Sequence, residues 1–366
     1  MSGIDNMHEG DALIPLPQIA TARDGAEFPL EEEQWIVADI SGHHYFTFWS
    51  LRELASALLI ESLKRVTLHY IQVNSQSIAG LVFERFAAFL RFVGRETPVD
   101  SISVEHVLSY RTTLNSDTEW YLGVLRGFFR TWSDLGLPGV DREVVSLLKE
   151  MRLKGNPKGK AVKTADPLKG AFSDIEYEGI IDSLNNEFAK RNISVEDYLL
   201  VWLYLALGAR SVQLAALKVS DLSVVRASSG AETHILKVPR AKQRGQASRT
   251  EFKNKKILFD VGRIIEEHCR ASRVRWSSLG LRDEMIPFFV NPRNVGGSED
   301  LRYHCSSRDL AKRVRDVFDL LNVTSERTGK KLNVTTRRFR YTIGTRAAKE
   351  GASELVIAEI LDHSDT

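Results

Sequence analysis

Cysteine is nearly absent: Cys269 and Cys305 are the only two in 366 residues. Two cysteines without histidines at ligand spacing exclude a disulfide framework and a cysteine-ligated zinc site, and they fit a reducing compartment. No apolar run is long enough to cross a bilayer. The longest covers 198–209, and its twelve residues read as a buried helix. The first residues, MSGIDNMHEG, hold no basic segment followed by an apolar core, so no secretory signal is expected. There is no internal repeat. There is also no nucleotide-binding glycine loop, because Gly155 and Gly159 are wrongly spaced and Ala161 follows Lys160 where a hydroxyl residue is required. Acids are missing from 335–349, a stretch that carries Arg337, Arg338, Arg340, Arg346 and Lys349.

The composition, 43% hydrophobic and 27% charged, is that of a soluble globular chain, and the length fits two domains with a further small piece. A net charge of +2 conceals an asymmetry. Residues 1–40 hold nine acids against Arg23 alone, a net of −8, so the remainder carries +10. A basic body behind an acidic leader suits a nucleic-acid binder. Residues 1–44 are read as a flexible acidic arm, because 1–34 is rich in glycine, proline and acids and shows no period. Such an arm would touch a partner or shield a basic groove.

From Phe46 the pattern turns helical. Four amphipathic stretches follow, with Trp49, Leu51, Leu54, Leu58 and Leu59 opening the first. Leu81, Phe86, Phe89 and Phe92 mark the second, Val107 and Tyr110 the third, and Trp120, Leu125, Phe128, Phe129 and Trp132 the fourth. This predicts a four-helix domain over 45–151 in which the aromatic stripe is core. Residues 152–171 read as a basic linker, since RLKGNPKGKAVKTADPLK has six bases to one acid with two glycines and two prolines. Lys154, Lys158, Lys160 and Lys163 there suit a phosphate backbone.

Beyond the linker, Ser173 can cap a helix through Ile180 and Leu184, and a buried helix follows over 195–207. Short strands are expected at 222–225, 234–238 and 257–259, and helices at 262–273 and 307–321. Thr335 or Thr336 can cap a helix reaching Lys349, closed by Gly351, and Ser353 can cap another that carries Leu355, Ile357, Ile360 and Leu361. Arg337 and Arg340, three apart, share a helical face.

At this point a resemblance can be stated. LYLALGARSVQLAALKVSDL, around Arg210, resembles the first arginine box of the tyrosine recombinases, the phage integrase family. RRFRYTIGTRAAKEGASELVIAEILDH, around Arg340, resembles the second. The order of helical domain, basic linker, first box, small sheet and second box is also similar, over about residues 45–366. The implied fold is mainly α: an N-terminal helical core-binding (SAM-like) domain, then an α-rich catalytic domain over 172–366 with a small antiparallel β-sheet.

The resemblance implies a site-specific recombinase or integrase that cleaves and rejoins DNA through a 3′-phosphotyrosyl intermediate. The alternative is a non-cleaving DNA-binding regulator with the same fold. Carried over by motif, Arg210 and Arg340 hold the phosphate, and fixed guanidinium forks suit a phosphorane's extra charge. Ser211 begins a helix whose amides also favour an anion. Arg337 stands where the family usually has histidine, and it cannot accept a proton at neutral pH. His363 matches the late histidine. Lys242, in VPRAKQRGQ, is the candidate general acid, with Lys237 and Lys253 as rivals. Arg240, Arg244 and Arg338 are assigned to the DNA backbone. Gln213 replaces a glutamate common in the family, and Asp362 stands where glycine is common.

The nucleophilic tyrosine of the family follows the late histidine, whereas only Ser364, Asp365 and Thr366 follow His363 here. The expectation is a C-terminally incomplete catalytic domain, inactive in cleavage as it stands. No metal or organic cofactor is implied. The implied partners are double-stranded DNA and, with the C-terminal segment present, a tetramer on paired DNA sites; no membrane is implied. A cytoplasmic, bacterial nucleoid-associated location follows from the same resemblance.

Overall fold

A computed structural model describes residues 13–155, 159–241, 249–278, 280–294 and 298–362. Among them, thirteen α-helices and three small sheets form a mainly α protein, in two compact units. The first unit draws on Met1–Val37 and His43–Pro157, the second on Ala38–Gly42 and Lys158–Thr366.

The leader is not a flexible arm over its described part. Strands β1 (Ile19–Thr21) and β2 (Glu27–Pro29) pair antiparallel, and β3 (Gln34–Asp39) pairs with β4 (Gly42–Thr47). Alternation explains it: Trp35 and Val37 of QWIVAD are buried, and the Trp35 ring lies 4.7 Å from Phe48. The acid-rich composition concealed that period of two. Its charge is also used, since Glu33 bridges to Arg52 at 2.9 Å and Lys64 at 2.8 Å.

Five helices follow: α1 (Ala57–Val73), α2 (Gln76–Val93), α3 (Val104–Thr112), α4 (Trp120–Asp134) and α5 (Arg142–Glu150). The first starts later than Phe46, because β4 and a 3-10 turn at Trp49–Leu54 occupy the stretch before Ser56, whose side chain caps Leu59 N–H. The fifth was not foreseen; it is short and buries only Val144 and Leu148 fully. Phe86, Phe89, Phe128, Phe129 and Trp132 are buried together as core, whereas Trp49 and Phe92 are exposed.

In the second unit, α6 (Lys160–Lys163) is a single turn, and Ser173 with Glu176 forms the capping box of α7 (Asp174–Ala189). Helix α8 (Val195–Leu207) is buried almost all round and ends at Gly208. Short α9 (Ser211–Ala215) leads to an antiparallel sheet of β5 (Leu222–Arg226), β6 (Glu232–Pro239) and β7 (Phe252–Ile257). Then come α10 (Phe259–Ser277), α11 (Ser307–Leu321), α12 (Thr336–Lys349) and α13 (Glu354–Ile360), with Ser353 capping the last. Phe339 ties this core together: its ring meets Phe172 at 5.2 Å, Tyr204 at 5.5 Å and Phe318 at 5.9 Å.

Candidate functional site

Gly208 positions the first arginine. Its left-handed backbone, φ 54°, turns the chain out of α8, and an added Cβ would stand 3.1 Å from Ile343 and 3.3 Å from Leu361. Glycine therefore serves both the turn and the close approach. Arg210 follows as the N-cap of α9, where its own N–H donates to Gln213 Oε1 at 3.0 Å. The Ser211 and Thr336 hydroxyls, 3.0 Å apart, tie the start of α9 to the start of α12. Arg340 Nη1 donates to the Gly208 carbonyl at 2.9 Å. The two arginine boxes thus meet beside one turn of chain.

Both arginines reach the end of α13, and so do other cations. Arg340 donates to the Leu361 carbonyl, and Arg210 donates to the Asp362 carbonyl at 3.0 Å. Lys253 donates to the Glu359 carbonyl and Lys255 to the Ile360 carbonyl, each at 3.1 Å. Four successive carbonyls at a helix end, where the macrodipole is negative, each receive a separate cation. Asp362 adds a buried carboxylate at φ 52°. Its Oδ1 accepts from Arg240 Nε at 2.8 Å and lies 3.6 Å from Lys253 Nζ. Its Oδ2 accepts from Gln213 Nε2 at 3.2 Å and lies 3.8 Å from Arg210. Gln213 also donates to the Pro239 carbonyl at 2.9 Å, so it joins α9, β6 and the end of α13 without a charge.

The lysines come from the register of β7. Lys253 lies opposite Val238 and Lys255 opposite Leu236, and both of those partners are buried. Opposed residues of an antiparallel pair share a face, so both lysines point inward. Burial lowers the Lys255 pKa, and the Lys253 charge adds to that. Burial likewise draws Arg340 down to about 10, aided by the Arg210 charge. Burial also lowers Arg210, and Asp362 opposes it. Arg240 is raised, first by its bond to Asp362. The site is an excess of positive charge held close together and partly desolvated, which can receive a phosphate.

Arg210 and Arg340 are therefore brought together, and Arg240, expected on the DNA backbone, joins them. Arg337 is exposed on the first turn of α12. Lys154, Lys160 and Lys163 are exposed as well. Lys158, Lys242, Arg244 and His363 lie outside the described residues.

Arg338 does not lie on a DNA-facing surface. Its side chain is fully buried, donates to the Gly170 and Asn333 carbonyls, pairs with Glu176 at 3.3 Å and lies over the Phe172 ring at 4.2 Å. Lys255 was missed, and Lys253 was only a rival candidate. The signal for both was the alternation Lys253, Lys255, Ile257. It was hidden because the third strand was expected at 257–259.

Glu232, His234 and Glu266 place donor atoms within 4.8 Å of one another. Arg226 bridges to Glu232 at 2.9 Å and Glu266 at 3.3 Å, and Arg263 bridges to Glu232 at 3.3 Å. Both carboxylates thus carry cations already, and the group braces β6 against α10.

No protein-family model matches the chain, and no curated protein does. Among solved structures it is similar to XerH site-specific recombinase bound to palindromic difH substrate, at 14% identity and TM-score 0.49, over 85% of this chain and 79% of that one. It is similar to the Tn1549 transposon integrase in complex with a circular intermediate DNA, at 13% identity and TM-score 0.45, over 84% and 92%. The integrase from mycobacterium phage Brujita is a further likeness, at 15% identity and TM-score 0.34, over 84% and 85%. No described helix is long and apolar enough to cross a membrane.

Proposed function

We propose that the chain is a tyrosine recombinase, which cleaves and rejoins DNA and holds the scissile phosphodiester between Arg210 and Arg340. One observation carries the reading: the two arginine boxes, remote in sequence, meet at Gly208 and the end of α13 with Arg240, Lys253 and Lys255 beside them. The two sequence motifs support it independently. In the proposed reaction a tyrosine oxygen attacks phosphorus, a 3′-phosphotyrosyl bond forms, and the 5′-oxygen leaves and takes a proton. The arginine forks stabilise the charge that develops on the non-bridging oxygens. Lys242 is the proposed general acid by motif. Lys253 and Lys255 are the described lysines at the site, and the depressed pKa of Lys255 makes its proton labile. His363 is assigned to a non-bridging oxygen.

The proposed partner is duplex DNA. Lys154, Lys158, Lys160, Lys163, Arg244 and Arg337 are assigned to its backbone, with a tetramer on paired sites and a cytoplasmic setting. The 366 residues in hand contain no tyrosine after His363. They are proposed to bind DNA without forming a covalent adduct. A nicked, trapping duplex followed by denaturing electrophoresis tests this. The expected outcome is a native shift and no band that survives denaturation. A surviving band would show that another tyrosine attacks, with Tyr341 the first to replace. Absence of any duplex binding would remove the recombinase reading.

A further inference from the structure

We propose that the end of α13 is a built-in occupant of the phosphate site, with the Asp362 carboxylate as an internal anion that a DNA phosphate must displace. The inference rests on the reading of the arginine cluster as a phosphate site. The Arg210 guanidinium donates to the Asp362 carbonyl at 3.0 Å and lies 3.8 Å from its carboxylate. Arg240 Nε, Lys253 Nζ and Gln213 Nε2 also converge on its carboxylate, at 2.8, 3.6 and 3.2 Å. A carboxylate with oxygens spread among two guanidinium groups, an ammonium and an amide reproduces the contacts a bound phosphate would make. The neighbouring carbonyls of Glu359, Ile360 and Leu361 engage Lys253, Lys255 and Arg340 in the same way.

The backbone places the carboxylate there. Residue 362 has φ 52°, a conformation that aspartate and asparagine tolerate better than most residues and that glycine adopts freely. Glycine at this position would allow the same turn and leave the cations without their anion. Asparagine would keep the shape and the acceptor for Arg240 and remove only the charge. An anion that must be displaced lowers apparent affinity for an incoming phosphate, because the two ligands share the same donors.

The test uses the full chain with Asp362→Asn and Asp362→Gly. Two probes are titrated, inorganic phosphate by calorimetry and a duplex across a series of salt concentrations. Circular dichroism confirms that each variant folds. The expected result is tighter binding of both probes by about tenfold, an ordinary size for coupling between competing ligands. The slope of log affinity against log salt should steepen by about 0.9, one further phosphate neutralised.

Unchanged or weaker binding of both probes in folded variants would overturn the proposal. Should either variant unfold, Glu359→Gln serves instead. That residue is exposed and holds Lys253 through its carboxylate at 2.8 Å. A smaller tightening supports the competition, and none overturns it. Tighter phosphate binding with no duplex bound by any form would uphold the internal anion and sink the recombinase reading.

Discussion

Arg338 and Arg340 stand two residues apart on α12, on either side of the core residue Phe339, and they have opposite fates. Arg338 has no exposed side chain and meets Glu176, which also has none. Burial pushes the Glu176 carboxyl up, but bonds from Arg327 and Ser325 outweigh it and hold the group below the usual carboxylate range. Each buried charge there has a counter-charge and satisfied hydrogen bonds. Arg340 is half-buried and meets carbonyl oxygens at Gly208 and Leu361, with Arg210 as a neighbouring like charge. The first arrangement neutralises itself and the second leaves positive charge unspent. A matched cation near an arginine-rich motif holds the fold, and an unmatched one is available to a ligand.

Breaking the matched site should have the largest effect. Arg338→Ala leaves Glu176 without one of its two guanidinium partners and frees the Gly170 and Asn333 carbonyls. We expect a loss of about 3–5 kcal/mol in urea unfolding, the usual cost of removing one partner of a buried pair. Arg340→Ala should cost about 1 kcal/mol or less in the same assay, because it also relieves repulsion with Arg210. It should nevertheless weaken duplex binding by about tenfold or more, as loss of a charged hydrogen-bond donor does. Equal destabilisation by the two substitutions would erase the distinction drawn between them.

A buried base whose hydrogen bond goes to a carbonyl sharpens the comparison at a smaller magnitude. His304 has no exposed surface, and its Nδ1 donates to the Ala215 carbonyl of α9 at 2.6 Å. Burial pushes its pKa down to about 4, and the charges of Lys218 and Arg249 add to that. The folded state therefore keeps His304 neutral, while the unfolded chain takes up a proton below about 6.5. The stability is fully present above the unfolded pKa and is lost as pH falls towards 4. The loss should reach about 2 kcal/mol at pH 5. His304→Gln should flatten that part of the pH–stability curve. A curve identical to that of the parent chain would remove His304 as the cause.

These sites also show what the sequence makes legible. Helix caps were readable because Ser173 and Ser353 precede periodic apolar runs, and both caps form as written. Arg210 and Arg340 stood out in the sequence because one follows a long apolar run and the other lies in a stretch without acids, and the structure brings the two together. The role of Arg338 was not readable. Its partner Glu176 is 162 positions away, and nothing local distinguishes Arg338 from the arginines beside it. The strands of the leader were outweighed by composition, although Trp35 and Val37 alternate. Asp362 was noted as an oddity, but its contacts with Arg210, Arg240 and Lys253 depend on three separate elements folding together.

Arg337 supplies the smallest and cleanest test of the same distinction. It lies on the first turn of α12 and is exposed, whereas Arg338 beside it is buried. Surface substitutions away from special features change stability by about 0.5 kcal/mol at most. Arg337→Ala should therefore leave the urea midpoint in place, where Arg338→Ala shifts it far. If Arg337 lies on a phosphate of bound DNA, its loss should reduce the salt slope by about 0.9 and weaken binding similarly for every DNA sequence. Arg337→Lys should restore both, since a phosphate contact needs the charge more than the planar fork. A salt slope unchanged by Arg337→Ala would place the residue on solvent.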